Sequence, residues 1–281
     1  MLFRSETSLC LYMDSRSNKG IKTFLITSCK GGVGKSTVAA NLAFSLASSG
    51  KRVLLVDCDF SNRSLDLILG YEENVLFDIC DLVSGRATAS KAVMQDSREE
   101  RLNFIAAPHI KKDDFTSEQF REAIMAAARE FFCEYVFIDT PGALDGTLPL
   151  VAPCADAALI VTSHQPTTVR GAEKTGYQLE DLGVKEQYLI INRYDKKGVL
   201  DGTSPGLNWL IDRTHVPLIG VIPDSNGLEK AQISGKLAVQ MRRDREKVRD
   251  AFEETSRRIC GERIPIMSYL PEKKRRKLLY S

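Results

Sequence analysis

From Lys22 onward, short apolar runs alternate with stretches of helical periodicity. The runs are Thr23-Phe24-Leu25-Ile26, Val53-Leu54-Leu55-Val56, Leu102-Asn103-Phe104-Ile105, Tyr135-Val136-Phe137-Ile138, Ala158-Leu159-Ile160-Val161, Leu189-Ile190-Ile191 and Leu218-Ile219-Gly220-Val221-Ile222. They are near-continuous rather than alternating, as strands buried on both faces of a parallel sheet require. Between them the pattern predicts helices over about 35–49, 117–132, 167–182 and 240–259. In the last of these, Met241, Val248, Phe252 and Ile259 share one helical face that should pack on the body. Glu253/Arg257 and Glu254/Arg258 are favourable i,i+4 pairs, so its arginines are expected on a solvated face. Strand and helix in alternation predict an α/β fold: one doubly wound, mostly parallel sheet flanked by helices, over residues 21–262. Residues 1–20 are polar and irregular, and Met13 stands as a possible second start.

Composition narrows the class. Apolar residues make up 43% of the 281 and charged residues 27%, which excludes a disordered or collagen-like chain. The longest apolar run is Ala123 to Ala128, far below the ~18 residues that span a bilayer. Leu9 to Met13 is too short for the apolar stretch of a secretory signal. The seven cysteines are scattered without a Cys-x-x-Cys pair, which predicts reduced thiols and no zinc site. His109, His164 and His215 are isolated and show no ligand spacing. Net charge is only +2, but residues 240–281 hold 13 basic and 7 acidic side chains, leaving the rest net acidic. Such asymmetry points toward a membrane surface or nucleic acid.

The sharpest chemistry lies in Lys30-Gly31-Gly32-Val33-Gly34-Lys35-Ser36-Thr37, directly after a strand and opening a helix. Glycines let successive backbone N–H groups close around phosphate oxygens, and the helix N-terminus faces the anion. Lys35 suits the β/γ-phosphates, and the Ser36 hydroxyl suits Mg²⁺. Cys29 occupies the first glycine of the strict G-x-x-x-x-G-K-[ST] pattern, and a second lysine, Lys30, precedes the glycine pair. Other strands end in polar residues at the same edge: Asp57-Cys58-Asp59, Asp139-Thr140-Pro141-Gly142, Asn192-Arg193 and Pro223-Asp224. Together they predict a nucleotide site with its metal.

These segments resemble the MinD/ParA family of ATPases with a deviant Walker A loop. Residues 30–36 are similar to that loop, Val56-Asp57-Cys58-Asp59 to the family's switch I, and Phe137 to Gly142 to its Walker B and switch II. The stretches 62–70, 189–194, 220–224 and 261–267 resemble the MinD branch more than the ParA branch. The resemblance spans about residues 20–270. It implies ATP and Mg²⁺ as cofactors, with phosphates on Lys30, Gly31, Gly32, Val33, Gly34, Lys35, Ser36 and Thr37. It implies Mg²⁺ near Ser36, Asp57 and Asp139, and adenine near Asn192, Arg193, Pro223 and Asp224. Lys30 would reach across an ATP-dependent homodimer to the partner's phosphates, and Asp59 would orient the attacking water. The implied biology is a peripheral ATPase on the cytoplasmic face of the inner membrane. There it would place the division septum through a division-inhibitor protein and an activating or topology protein.

Three departures qualify that picture. Thr140-Pro141-Gly142-Ala143 stands where the MinD branch more often has Pro-Ala-Gly, and Ser61-Asn62 where it has Gly-Leu. Cys29 and Cys58 flank the site and are expected to be buried and inert. The tail, residues 263–281, ends in Lys273-Lys274-Arg275-Arg276-Lys277-Leu278-Leu279-Tyr280, basic all round with its apolar residues bunched at the tip. That is a weak amphipathic helix, although it could hold anionic lipid electrostatically with the tip as a wedge. The alternatives are a ParA-type partitioning ATPase, binding DNA through Arg242, Arg243, Arg245 and the tail, or a flagellar-placement ATPase. A cofactor- or metal-insertion ATPase would want a paired cysteine cluster, which the sequence lacks.

Overall fold

The computed structural model describes residues 20–109, 114–142, 146–242 and 247–280. All seven apolar runs form strands: β1 (Lys22–Thr27), β2 (Val53–Asp57), β4 (Glu99–Ile105), β5 (Tyr135–Asp139), β6 (Ala157–Thr162), β7 (Glu186–Tyr194) and β8 (Leu218–Pro223). An eighth, β3 (Met94–Asp96), pairs antiparallel with β4 at the sheet edge. The order is β3-β4-β2-β5-β1-β6-β7-β8, with every other pairing parallel. β1 is central, between β5 and β6, so the loop leaving it emerges where the chain switches from one half of the sheet to the other.

Helices cover both faces. They are α1 (Lys35–Ser48), α2 (Leu65–Leu69), α3 (Ile79–Val83), α4 (Ala89–Ala92), α5 (Ser117–Glu130), α6 (Thr147–Val151), α7 (Pro166–Asp181), α8 (Lys196–Asp201), α9 (Leu207–Thr214), α10 (Asn226–Ile233), α11 (Val248–Ile259) and α12 (Glu272–Tyr280). Alternate strand residues feed two cores, as a period of two demands. Phe24, Ile26, Leu55 and Phe137 pack with Val38 and Leu42 of α1 and Phe252 of α11. Leu25, Leu54, Val136 and Ile160 pack on the opposite face with Phe120 of α5 and Val169 of α7. Among the described residues no helix is long and apolar enough to cross a membrane.

Two expectations about the C-terminal region need correction. The helix expected from residue 240 begins only at Val248, and Met241 packs on the core from outside it. Its arginines are not all on a solvated face. Arg258 is 1% exposed and donates to the carbonyls of Ile219, Ile264 and Pro265 while pairing with Glu254 at 3.0 Å. Those carbonyls satisfy the guanidinium's fixed fork of donors, which lets a charge this large be buried. Glu253 pairs with Arg249 rather than Arg257, which turns to Glu262.

The second correction concerns the tail. Residues 272–280 form α12, and Leu278 and Leu279 lie buried in the core shared with α7 and α9. Two of the three residues expected as a membrane wedge, Leu278 and Leu279, are therefore tucked into the domain while Tyr280 stays exposed, and Lys273, Lys274, Arg276 and Lys277 face outward. Residues 1–19 of the N-terminal extension, Met13 among them, together with Ala143, Arg243 and Arg245, fall outside the described residues.

Candidate nucleotide site

The loop after β1 turns on two glycines with positive φ, Gly32 at 81° and Gly34 at 86°, a region closed to most L-residues. A side chain at Gly34 would also collide with Asn192. Gly34 caps α1, whose first turn carries no acidic residue and no side-chain cap. Its leading N–H groups are therefore left for an anion.

The loop, switch I and switch II meet in a cleft of about 400 Å³. Lys30, Gly31, Gly32, Gly34, Lys35, Ser36, Thr37 and Asp59 line it, and sequence reasoning had named all of them. It had not assigned Ser61, Asn62 or Pro141 to the site, yet they complete the wall. Thr140 ties switch II to β1, its N–H and hydroxyl both donating to the Ile26 carbonyl. A Cβ at Gly142 would come within 2.9 Å of the Gly31 Cα, so only glycine lets switch II lie this close to the phosphate loop.

Charge inside the cleft is arranged around one lysine. Lys35 is 5% exposed and donates to Asp139 Oδ1 at 2.8 Å, with Asp59 Oδ2 3.9 Å away. Burial pushes the Asp139 carboxyl above the usual carboxylate range, against the pull of Lys35 and Ser36. Asp57 stands beside Asp139 in register, and burial together with that neighbouring charge raises it to about 7. Both Asp57 oxygens are engaged by backbone: Oδ1 accepts from the Asp59 N–H, and Oδ2 from those of Ser64 and Leu65. That places Asp57 under switch I as the group shaping the loop. Asp59 Oδ1 in turn accepts from the Asn62 N–H at 2.9 Å.

The donor set fits a nucleotide with Mg²⁺. Asp139 Oδ2 is buried without a hydrogen-bond partner, an expensive state that a cation or its water would relieve. Among the described residues no group of three or more His, Cys, Asp or Glu stands close enough to hold a metal. A hard cation here would draw on Ser36, Asp139, water and the phosphates themselves, as Mg²⁺ commonly does.

The expected adenine residues do not line this cleft and lie at the ends of β7 and β8, with Asn192 against the back of the phosphate loop. Asn192 is 3% exposed and donates from Nδ2 to the Val33 carbonyl at 2.8 Å, so it buttresses the loop from behind. Arg193 holds a positive φ of 52°, is exposed, and lies 3.8 Å from Glu229. Pro223 pairs with Tyr194, and the Asp224 N–H donates to the Tyr194 carbonyl. Of the two flanking cysteines, Cys58 is fully buried with its thiol pushed well up by desolvation. Cys29 is half-buried, its Sγ 3.5 Å from the Thr168 carbonyl of α7.

The chain is similar to known proteins over most of its length. The family model described as CobQ/CobB/MinD/ParA nucleotide binding domain matches residues 24–239. The chain is 33% identical over 254 residues to the septum site-determining protein MinD of Synechocystis, covering 89% of this chain and 93% of the relative. It is 31% identical over 248 residues to that of Bacillus subtilis, covering 87% and 91%. Among solved structures, the MinC:MinD cell division protein complex of Aquifex aeolicus aligns with a TM-score of 0.78 at 31% identity. That alignment covers 87% of this chain and 98% of the other.

Proposed function

The chain belongs to the CobQ/CobB/MinD/ParA nucleotide-binding family, and from that premise we propose a MinD-like ATPase that works as an ATP-switched dimer on a membrane surface. The observation that carries this reading is the division of labour between two lysines of one loop. Lys35 is sunk among Asp139 and Asp59, whereas Lys30 is exposed at the cleft mouth. Lys35 can serve only its own site. Lys30 is free to reach a second copy's phosphates, where a cation supplied in trans offsets transition-state charge.

In this reading Ser36 and Asp139 would hold Mg²⁺, with Asp57 behind them engaged by backbone N–H groups, and the ion would supply charge neutralisation at the β/γ-phosphates. Asp59 orients the attacking water, Asn192 keeps the loop in register, and the residues near Arg193, Pro223 and Asp224 cover the base. Dimerisation completes each site, and hydrolysis dissolves the dimer. Attachment to the cytoplasmic face of the inner membrane uses the tail, after α12 leaves its berth. The output is septum placement through a division-inhibitor partner; one solved relative, the Aquifex protein, is a MinC:MinD complex.

The test is turnover against protein concentration. Hydrolysis should rise faster than linearly as dimers form. Lys30→Ala should bind ATP within a few-fold of the parent yet lose about 10³-fold in turnover, the scale of a charge supplied in trans. Full turnover by Lys30→Ala would refute the dimer reading. The outward basic face of α12, with its leucines buried, favours a second reading, a DNA-positioning ATPase. Its mark would be DNA binding that weakens steeply with salt.

A further inference from the structure

α10 crosses toward the phosphate loop and places one side chain against it. Gln232 Nε2 donates to Thr37 Oγ1 at 2.6 Å, joining positions 195 residues apart. Thr37 follows Ser36 in the first turn of α1 and lines the cleft. Its carbonyl is already taken by the Asn41 side chain at 2.8 Å. Among the described residues its hydroxyl donates to no protein group. A threonine hydroxyl has one proton and two lone pairs. With Gln232 filling an acceptor position, the proton remains available to a ligand in the cleft.

We propose that Gln232 is a positioning residue for the nucleotide, aiming the Thr37 proton at the phosphate group nearest the ribose. Lys35 and Ser36 address the terminal phosphates and metal, which leaves Thr37, one residue deeper, for that inner group. Gln232 belongs to the element that follows β8, so it also ties the side of the site expected to meet adenine to the loop that holds phosphate. A second strut runs beside it: Asn41 Oδ1 accepts from the Ala238 N–H. The signal was absent from the sequence because a lone glutamine on a short helix has no motif; only the fold brings it to Thr37. The inference rests on reading the cleft as a nucleotide site.

Calorimetric titration of the full chain with Mg·ADP tests it, with Gln232→Ala, Gln232→Glu, Thr37→Val and the Gln232→Ala/Thr37→Val double variant. Each single alanine or valine change should weaken ADP about tenfold, the scale of one hydrogen bond to a charged group. The double variant should be no weaker than Thr37→Val, since Gln232 acts only through that hydroxyl. Gln232→Glu should bind worse than Gln232→Ala, because glutamate keeps a tie to Thr37 but takes the proton for itself. Parent-like binding by Gln232→Ala, additive losses in the double variant, or recovery in Gln232→Glu would each overturn the proposal. Failure of the parent to bind ADP would instead remove the nucleotide reading beneath it.

Discussion

Lys35 is the charge on which the site's own stability turns. Three aspartates crowd the ends of β2 and β5, and Lys35 is the cation that answers them from within. A carboxyl whose pKa is raised on folding binds more protons in the folded than in the unfolded state. The stability it contributes is present below its unfolded value and is lost as pH rises through the folded one. For Asp57, raised from 3.8 to about 7, that window runs from about pH 4 to about pH 7. The nucleotide-free protein should therefore melt at a lower temperature at pH 8 than at pH 6. Lys35→Met removes the partner of buried Asp139 and should cost about 3–5 kcal/mol at pH 8, a cost that shrinks as falling pH lets that raised carboxyl protonate. Calorimetric melts of both proteins across this range check it, and equal pH slopes would show that Asp139 carries no uncompensated charge. At this scale the sequence was informative where the chemistry is contiguous. Residues 30–37 form one segment, and Asp59 and Asp139 follow apolar runs that mark strand ends. Asn62 was legible only as a departure in the segment after β2, and Gln232 gave no signal, because it meets Thr37 only through folding and carries no local pattern of its own.

Elements were legible in proportion to their length and burial. Continuous apolar runs betrayed seven strands, since a strand covered on both faces has little room for polar residues. β3 escaped because three residues, Met94-Gln95-Asp96, at an edge carry too little pattern. The short helices α2, α3, α4, α6 and α8 were invisible for the same reason, each being six residues or fewer. α12 was misread differently: its basic residues run all round the helix, and only the two leucines reveal a packed side. Those leucines, with Tyr194 Oη donating to the Leu278 carbonyl at 3.5 Å, are what dock it. Nine residues make a marginal helix without tertiary help. α12 should therefore open well below the cost of global unfolding. In hydrogen exchange the amides of 272–280 should exchange faster than those of α1. Leu278→Ala, whose typical cost of about 2–5 kcal/mol rivals what holds the helix down, should abolish their protection while leaving β1 and β5 unchanged. Protection of α12 equal to that of the central strands would make it a fixed part of the domain.

At the scale of the whole molecule, a net basic end sits on a net acidic body, and the two leucines near its tip are stowed. Beside the exposed Tyr280, one docked tail offers an anionic membrane mainly electrostatics, about 1 kcal/mol for each basic residue near the surface. Undocking would add Leu278 and Leu279 to that contact, and the proposed dimer would present two such tails on one body. Joining two weak contacts makes the second effectively intramolecular, which raises avidity by about 10²–10⁴ without any new interaction. Nucleotide state would thus govern attachment through the number of tails held together, even if each tail's affinity stayed constant. Co-sedimentation with anionic vesicles should then require both ATP and the tail. The full chain should pellet with ATP and stay in solution with ADP, while a chain stopped at Leu270 should stay in solution with either. If Asp59 orients the attacking water as proposed, Asp59→Ala should still dimerise but hydrolyse slowly, and so remain on the vesicles after the parent has left them. Because part of the contact is apolar, binding at high salt should weaken without vanishing, whereas a purely phosphate-borne contact with DNA would collapse. Vesicle binding by the chain stopped at Leu270 would move the membrane contact to another surface, and failure of every form to pellet would leave the outward basic face of α12 to nucleic acid.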